Sequence, residues 1–172
     1  MKKTILLAAL IVFAFSLYGQ EYVVPKNVKF ENKADYATYE PQVKETIDWL
    51  LTTSLGKEQH KRTEANAFLM TWLTGTPDVT INIYDGFLPF VKKSPELLMP
   101  FMAGCVKYSL ENGYSKDDVL INKAGIETIV TFYRNNRGYL KKDGDIEKYE
   151  KLIEKGKLEE DIRKKLEKTK KK

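Results

Sequence analysis

The chain has 172 residues, with one Cys, one His and 29 Lys and Arg against 24 Asp and Glu, a formal net charge of +5. This length fits one domain, a single Cys excludes an internal disulfide framework, and one Cys with one His cannot supply a four-ligand structural zinc site. The apolar content of 42% is too high for a disordered chain. No apolar run reaches the ~18 residues of a membrane span, so we expect one soluble globular domain.

Residues 1–19 have the features of a secretory signal peptide. Lys2 and Lys3 form a cationic start, and eleven consecutive apolar residues follow from Ile5 to Phe15. We favour cleavage before Gln20 over cleavage after Ser16. No Cys lies directly after the apolar run, which excludes a lipid anchor on a mature N-terminal Cys. The sequence therefore predicts a periplasmic or secreted protein with no transmembrane anchor after signal removal.

The positive charge of the mature chain is concentrated at its C-terminal end. Residues 20–172 contain 27 basic and 24 acidic residues, a net charge of +3, whereas residues 20–140 contain 14 and 15 and are nearly neutral. Nucleic-acid binding needs a basic face on the folded domain, usually with interleaved aromatic residues. The basic C-terminal stretch contains one aromatic residue, Tyr149. We expect no nucleic-acid partner.

The first part of the mature chain predicts an extended arm followed by two helices. Residues 20–39 form the arm, because Pro25 and the valine before it disfavour helix. Apolar residues then recur at helical spacing over residues 41–55 and again over residues 58–74. With only one or two residues between them, the two helices should pack as an antiparallel hairpin.

The next stretch, residues 78–84, alternates in polarity. Val79, Ile81 and Ile83 are separated by polar residues or tyrosine, which is the period of a half-buried strand. A lone strand cannot satisfy its backbone hydrogen bonds, and the only other β-like segment is 23–30. Two alternatives remain open, a short β element and an extended loop packed on the helices.

Two helices are predicted in the second half of the core. Ser94 and Pro95 mark the start of the first, and Pro100 predicts a kink or break after its first turn. Ser115 is the predicted N-cap of the second, over residues 117–135. This helix is apolar on most of its surface, so we expect it at the centre of the domain.

The C-terminal residues 141–172 predict two charged amphipathic helices. Their apolar stripes are thin, which is typical of surface helices docked on a core. The complete prediction is a mainly α, single-domain bundle of about five or six helices. Residues 40–140 form its helical core domain, with the residues 141–172 packed against it.

The sequence contains few candidates for catalysis. It lacks a Gly-x-Ser-x-Gly elbow, a phosphate-binding loop and a dinucleotide-binding glycine motif. His60 lies among charged residues and is interpreted as solvated, while Cys105 lies on an apolar stripe and is interpreted as a buried thiol. No catalytic residue, metal site or cofactor is predicted. A carboxylate pair for hydrolysis could be drawn from Asp78, Asp85 and Glu96, but nothing in the sequence places two of them together.

Two segments are candidate binding sites. Phe87 and Phe90 lie in an apolar stretch between the alternating segment and a capped helix, where they could rim a groove or pocket. Arg134 and Arg137 flank two asparagines and could bind an anion. The competing interpretations are core packing for the two phenylalanines and a polar helix end for the two arginines.

Three stretches carry a resemblance to a family. Residues 68–81, FLMTWLTGTPDVTI, resemble small exported helical proteins of Gram-negative envelopes, and so do FMAG at residues 101–104 and KYSLEN at residues 107–112. The resemblance spans roughly residues 60–135. It implies a coherent family of exported helical proteins and carries no activity with it.

These observations favour a non-enzymatic periplasmic or secreted binding module that acts through a helical groove or surface. Its partner would be an envelope protein or a small ligand. The alternative is a cell-envelope hydrolase that uses carboxylates whose positions the sequence does not reveal. A concave pocket with two or more convergent ionisable groups would favour the alternative. The sequence leaves the ligand and the oligomeric state open.

Overall fold

A computed structural model describes residues 21–84 and 87–169 of the chain. The described part is helical, without a strand, and the predicted mainly α fold is confirmed. The helices are α1 (Lys33–Thr38), α2 (Glu40–Thr52), α3 (Gln59–Gly75), α4 (Leu98–Glu111), α5 (Asp118–Asn135), α6 (Gly144–Glu154) and α7 (Leu158–Thr169). The predicted signal peptide, residues 1–19, lies outside the described residues. Within the ranges described, no helix is both long and apolar enough to cross a bilayer.

The arm is shorter than predicted, because α1 interrupts it. The prediction of an extended segment over residues 20–39 is wrong for Lys33–Thr38. The Asn32 side chain accepts hydrogen bonds from the backbone N–H groups of Ala34 and Asp35, and the Asp35 carboxylate accepts one from the Asn32 N–H. This capping box satisfies N–H groups that have no partner within the helix, so it favours a helical turn here.

Two predicted boundaries around α2 and α3 change. Residues 53–58 separate the helices, so the connection is longer than the one or two residues expected. The alternating segment at residues 78–84 is an extended loop, and no strand forms in the described residues. Side chains tie this loop to α5, since Asn82 Nδ2 and Tyr84 Oη donate to the Asp118 carboxylate at 2.8 and 2.9 Å. The loop alternative is therefore the observed one.

The caps of α4 and α5 also differ from the prediction. A 3₁₀ turn over Pro95–Leu97 precedes α4, which begins at Leu98 and thereby places Pro100 in its first turn. The helix predicted from Ser94 is thus divided after its first turn, which is the predicted break, and Pro100 interrupts no hydrogen bond of α4. The N-cap of α5 is Asp117, whose carboxylate accepts from two backbone N–H groups. Ser115 accepts instead from the Asp117 N–H.

Helix α5 is central, as predicted. It contacts α4, α6 and α7, and it buries Ile121, Ile126, Ile129, Val130, Phe132 and Tyr133. Glycines allow its close approach to α4. A Cβ atom on Gly125 would lie 2.6 Å from Cys105 Sγ, and one on Gly104 would lie 2.3 Å from Thr128 Oγ1. Any larger residue would push the two helices apart.

The core consists of two adjoining clusters. The first joins the arm to α2, α3 and α4, with Val43, Ile47, Leu69, Trp72 and Val106 fully or nearly fully buried. The second surrounds α5, and α6 and α7 contribute Ile146, Tyr149, Leu158, Ile162 and Leu166 to it. Leu51, Leu73 and Ile81 pack against both clusters. The charged C-terminal helices are therefore docked on the core through their thin apolar stripes.

Candidate functional site

The most distinctive cavity lies where the end of α2, the first half of α3 and the start of α4 meet. We call it the Arg62 cavity. Its volume is about 270 Å³, and its lining residues are Leu50, Leu55, Arg62, Asn66, Pro95, Glu96, Met99 and Pro100. The walls are mainly apolar, and a basic, an amide and an acidic side chain interrupt them. Cavities of this composition are typical of small-molecule sites.

Arg62 is held in place by the end of α2. Its Nη1 donates to the Leu50 carbonyl oxygen at 3.0 Å, and its Nη2 donates to the Thr53 carbonyl oxygen at 2.5 Å. The guanidinium also lies over the rings of Trp49 and Phe132, 5.6 and 6.0 Å from their centroids. Carbonyls at a helix C-terminus lack intrahelical partners and carry partial negative charge. The arginine thus caps α2 and stays fixed in one orientation.

Two polar atoms in this lining have no partner. Arg62 Nε and Asn66 Oδ1 are buried and make no hydrogen bond within the described residues. Among the described residues, no carboxylate oxygen lies within 4.0 Å of an Arg62 nitrogen, which is the distance that defines an ion pair. Burial lowers the pKa of Arg62 from its ordinary value. A buried polar atom without a partner is costly, so these two atoms lower the stability of the fold at this point.

Glu96 supplies the acidic group of the cavity. It lies in the 3₁₀ turn Pro95–Leu97 at the start of α4, and its side chain is exposed. Glu96 forms no ion pair with any described residue. The lining of the Arg62 cavity therefore contains one positive and one negative charge. Neither forms an ion pair with the other or with another described residue.

A second concavity, which we call the α4–α5 groove, has a volume of about 390 Å³. Its lining residues are Leu51, Gly104, Lys107, Tyr108, Glu111, Ala124, Glu127, Thr128, Thr131 and Phe132. Lys107 Nζ lies 2.6 Å from Asp48 Oδ1, and this hydrogen bond raises the pKa of Lys107. Glu111 and Glu127 are exposed at its border. Two carboxylates thus line one concave surface.

The predicted rim residues Phe87 and Phe90 are buried. Their exposed fractions are 3% and 0%, because both side chains pack in the α5 cluster. Their interpretation as an exposed rim is therefore wrong, and core packing is the observed state. The same segment does border a third cavity of about 480 Å³, lined by Ile83, Tyr84, Leu88, Pro89, Val91, Lys92 and Leu98. Neighbours of the two phenylalanines form that wall.

The predicted anion site at Arg134 and Arg137 is occupied by a carboxylate of the chain itself. Arg134 Nε donates to Glu150 Oε1 at 2.5 Å, and Arg137 Nη2 lies 3.6 Å from Glu150 Oε2. Arg134 also approaches Glu154 at 3.7 Å. Glu150 lies on α6, so its ion pairs connect the end of α5 to that helix. The two arginines therefore have the structural role of a polar helix end. Binding of an external anion stays a prediction.

The remaining sequence candidates have ordinary surroundings. His60 is exposed on the surface, as predicted. Cys105 is fully buried, burial raises the pKa of its thiol, and Sγ donates weakly to the Ile121 carbonyl oxygen at 3.4 Å. Asp78 accepts a hydrogen bond from Lys33 at 2.8 Å, and Asp85 lies outside the described residues. No group of three or more His, Cys, Asp or Glu among the described residues could hold a metal ion.

Of the polar residues in the Arg62 cavity, Glu96 is one of the three candidate carboxylates named from the sequence, whereas Arg62 and Asn66 were missed, although one signal for them existed. Arg62 precedes Ala65 by three positions and Leu69 by seven, so it falls on the buried stripe of α3. Asn66 lies one turn further along on the same side. A charged residue on an apolar stripe indicates either a buried partner or a functional site. Glu96 was named only as a carboxylate, and its place beside α3 carries no signal in the sequence, because only the fold brings it there.

The Arg62 cavity thus combines apolar walls with two unpaired charges and an unpaired amide oxygen, whereas the α4–α5 groove combines two carboxylates with a paired lysine. Comparisons with protein-family models, curated proteins and solved structures found no match for this chain.

Proposed function

We propose that this protein is an exported, non-enzymatic binding module that holds a small ligand in the Arg62 cavity. The observation that carries the proposal is a cavity of about 270 Å³ whose mainly apolar walls are interrupted by Arg62, Asn66 and Glu96. Apolar walls with a few polar groups are typical of small-molecule sites. The hydrogen bonds from Arg62 to the end of α2 hold this wall in place before binding, which favours affinity.

The export part of the proposal rests on the cationic start and the apolar run of residues 1–19. With cleavage before Gln20, the retained chain would keep Tyr22, whose side chain is buried against α2 and donates to Thr46 Oγ1. Mass spectrometry of the native protein should find an N-terminus between Leu17 and Glu21. Recovery of a protein that retains Met1 from the cytosol would contradict export.

Thermal unfolding with a panel of small acids, amines, amides and zwitterions tests the binding function. A ligand of the native state raises the midpoint temperature in proportion to its saturation. We expect at least one compound to do so, and we expect Asn66→Leu to abolish the shift by filling the cavity. Thr63→Leu, on the exposed side of the same helix, is the matched control and should leave the shift intact. A shift that survives Asn66→Leu would place binding elsewhere and contradict the proposal.

The alternative function, hydrolysis of a cell-envelope polymer, draws on the α4–α5 groove. Glu111 and Glu127 line this one concave surface, and paired carboxylates serve as acid and base in such reactions. Release of soluble fragments from purified envelope polysaccharide is the measurement. If hydrolysis disappears in both Glu111→Gln and Glu127→Gln, the protein is a hydrolase that uses this groove, and the binding-module proposal is wrong. Hydrolysis that both variants retain would exclude the groove as its site.

A further inference from the structure

The N-terminal arm before α1 is anchored near both of its ends by side chains. Near the first end, Tyr22 Oη donates to Thr46 Oγ1 on α2 at 2.9 Å. Near the second end, the centroid of the Phe30 ring lies 6.5 Å from that of Phe68 on α3. The part of the arm between these two anchors is therefore held in place beside α3.

The main chain of the arm lacks hydrogen-bond partners between the anchors. No N–H or C=O group of residues 22–30 forms a hydrogen bond with a described residue. Burial of the side chains alternates, since Tyr22 and Val24 are buried and Val23 is 71% exposed, which is the pattern of an extended chain. The arm thus has the unpaired donors and acceptors of a strand edge.

A cavity of about 440 Å³, which we call the arm slot, lies between this edge and α3. All of the residues 24–28 line it, together with Phe30. Side chains of an extended chain alternate in direction, so consecutive residues border the same space through their main chain. The opposite wall is one face of α3 and consists of Glu64, Ala67, Phe68 and Thr71.

The charges of the arm favour an acidic occupant. Lys26 lines the slot, and Lys29 lies between two of its lining residues. Both lysines are exposed, and neither forms an ion pair with a described residue. On the helix wall, Glu64 has His60 Nδ1 as its neighbour at 3.8 Å. A carboxylate near the arm therefore has unpaired cations available, whereas a carboxylate near α3 would meet a like charge.

We propose that the arm slot binds an extended, acidic peptide segment of another protein by β-strand addition to the arm. The peptide main chain pairs with the arm over residues 24–28. Its apolar side chains contact Ala67 and Phe68, and its carboxylates lie near Lys26. Main-chain hydrogen bonds supply affinity in this mode of recognition, and alternate side chains supply specificity.

The arm slot and the Arg62 cavity are independent sites. Glu64 and Ala67 line the first, whereas Arg62 and Asn66 line the second. With 3.6 residues per turn, these two pairs lie on opposite faces of α3. Peptide binding in the slot can therefore be absent while ligand binding in the Arg62 cavity remains, and the reverse.

Fluorescence anisotropy with the purified protein and a labelled heptapeptide tests main-chain recognition. The peptide alternates valine with aspartate, and its length matches arm residues 24–30. In a strand, the N–H groups of alternate residues point to the same edge. Two N-methylated forms, one methylated on the valines and one on the aspartates, therefore each block one edge. We expect one form to bind about tenfold or more weakly than the parent peptide and the other form to bind much like it.

Lys26→Glu tests charge recognition. A second peptide has lysine in place of aspartate, and we expect the unaltered protein to bind it about fivefold or more weakly than the aspartate peptide. Lys26 is exposed, so Lys26→Glu should fold normally and lose most of this preference. Lys168→Glu is the matched control, because Lys168 is an exposed lysine on α7 without an ion pair in the described residues. It should keep the preference.

Ala67→Phe tests the location of the site. Ala67 is exposed on the helix wall, so a phenylalanine there should fill the slot without disturbing the core. We expect the affinity for the aspartate peptide to fall about tenfold or more, because the larger side chain takes the space of the peptide. Ala37→Phe is the matched control, since Ala37 is exposed on α1 and outside the lining. It should bind like the unaltered protein.

Several results would overturn the inference. Equal affinities of the two N-methylated forms would exclude strand addition, and an unchanged preference in Lys26→Glu would exclude acidic recognition at the arm. Binding that survives in Ala67→Phe would lie elsewhere. If neither peptide binds, the inference is wrong, and the thermal panel still measures the Arg62 cavity. A dimer in size-exclusion chromatography that Ala67→Phe abolishes would make the occupant a second copy of this chain and contradict a peptide partner.

Discussion

Two arginine-containing regions of the same bundle have opposite electrostatic surroundings. At the end of α2, Arg62 is partly buried, donates to backbone carbonyls and has no carboxylate partner in the described residues. At the end of α5, Arg134 and Arg137 are exposed and share the Glu150 carboxylate. The first region has a cation without a counter-ion, and the second has its charges matched internally.

An arginine is available to an anionic ligand only where no carboxylate of the chain already pairs with it. An exposed ion pair is worth about 0–1 kcal/mol, because water competes with it. A desolvated guanidinium interacts more strongly with any acceptor that reaches it, since the local dielectric is lower. A ligand at Arg134 would have to displace Glu150. A ligand beside Arg62 would have no carboxylate of the described residues to displace.

The largest expected effect tests the orientation of α5, on which the comparison depends. Ile129 is fully buried and Glu127 is exposed on this helix, and Arg134 lies on the exposed side. Ile129→Ala should lower the free energy of unfolding by about 2–5 kcal/mol through loss of packing. Glu127→Ala, the matched control, should cost under about 0.5 kcal/mol. Denaturant melts measure both values. The reverse order would mean that α5 is rotated and that Arg134 faces the interior.

The next effect compares the two arginines directly. Arg62→Met keeps a long apolar side chain but removes the hydrogen bonds to the Leu50 and Thr53 carbonyls. We expect a loss of about 2–3 kcal/mol in the free energy of unfolding, because these acceptors lose charged donors. Arg62→Lys should recover only part of it, since an ammonium lacks the planar fork. Urea melts that show no loss for Arg62→Met would contradict the capping role.

A smaller effect is the pH dependence of stability that comes from Tyr149, the residue before Glu150. Burial raises the pKa of Tyr149 on α6, and nearby Lys165 only partly offsets this. The folded state therefore holds the phenolic proton more tightly than the unfolded state does. The resulting stability is complete below pH 10.0, the ordinary tyrosine value, and is lost as the pH rises above it.

Urea melts between about pH 8 and 11 measure this dependence. Above pH 10, the free energy of unfolding of Tyr149→Phe should decline less steeply than that of the unaltered protein, because phenylalanine has no proton to release. Arg62→Met should keep the original slope, because guanidinium does not titrate in this range. Identical slopes for Tyr149→Phe and the unaltered protein would show that Tyr149 does not contribute.

The smallest expected effect concerns Arg134. Arg134→Met removes the ion pairs of an exposed arginine with the half-buried Glu150 and with Glu154, and Arg137 remains to interact with Glu150. We expect a change below about 1 kcal/mol in the free energy of unfolding. Added salt should reduce it further, because it screens exposed charges. A cost equal to that of Arg62→Met would remove the contrast between the two regions.

The sequence alone determined the helical fold and much of the helix placement. The 3.6-residue spacing predicted α3 and α5 closely, because burial of one face imposes that period on the residues themselves. The apolar surface of residues 117–135 predicted the central helix, and the stripe containing Cys105 predicted its burial. Local capping chemistry was less reliable. Asn32 and Asp35 form a helix start that the sequence analysis assigned to the arm.

Only the tertiary structure decided which polar groups meet. Arg134 finds Glu150 on another helix, and Arg62 finds carbonyls and aromatic rings but no carboxylate in the described residues. Glu96 joins the Arg62 cavity because the start of α4 packs near α3. Periodicity places a side chain on one face of its own helix, whereas pairing depends on residues from other helices. The candidate site consists of such long-range juxtapositions, so it emerged only once the helices were packed.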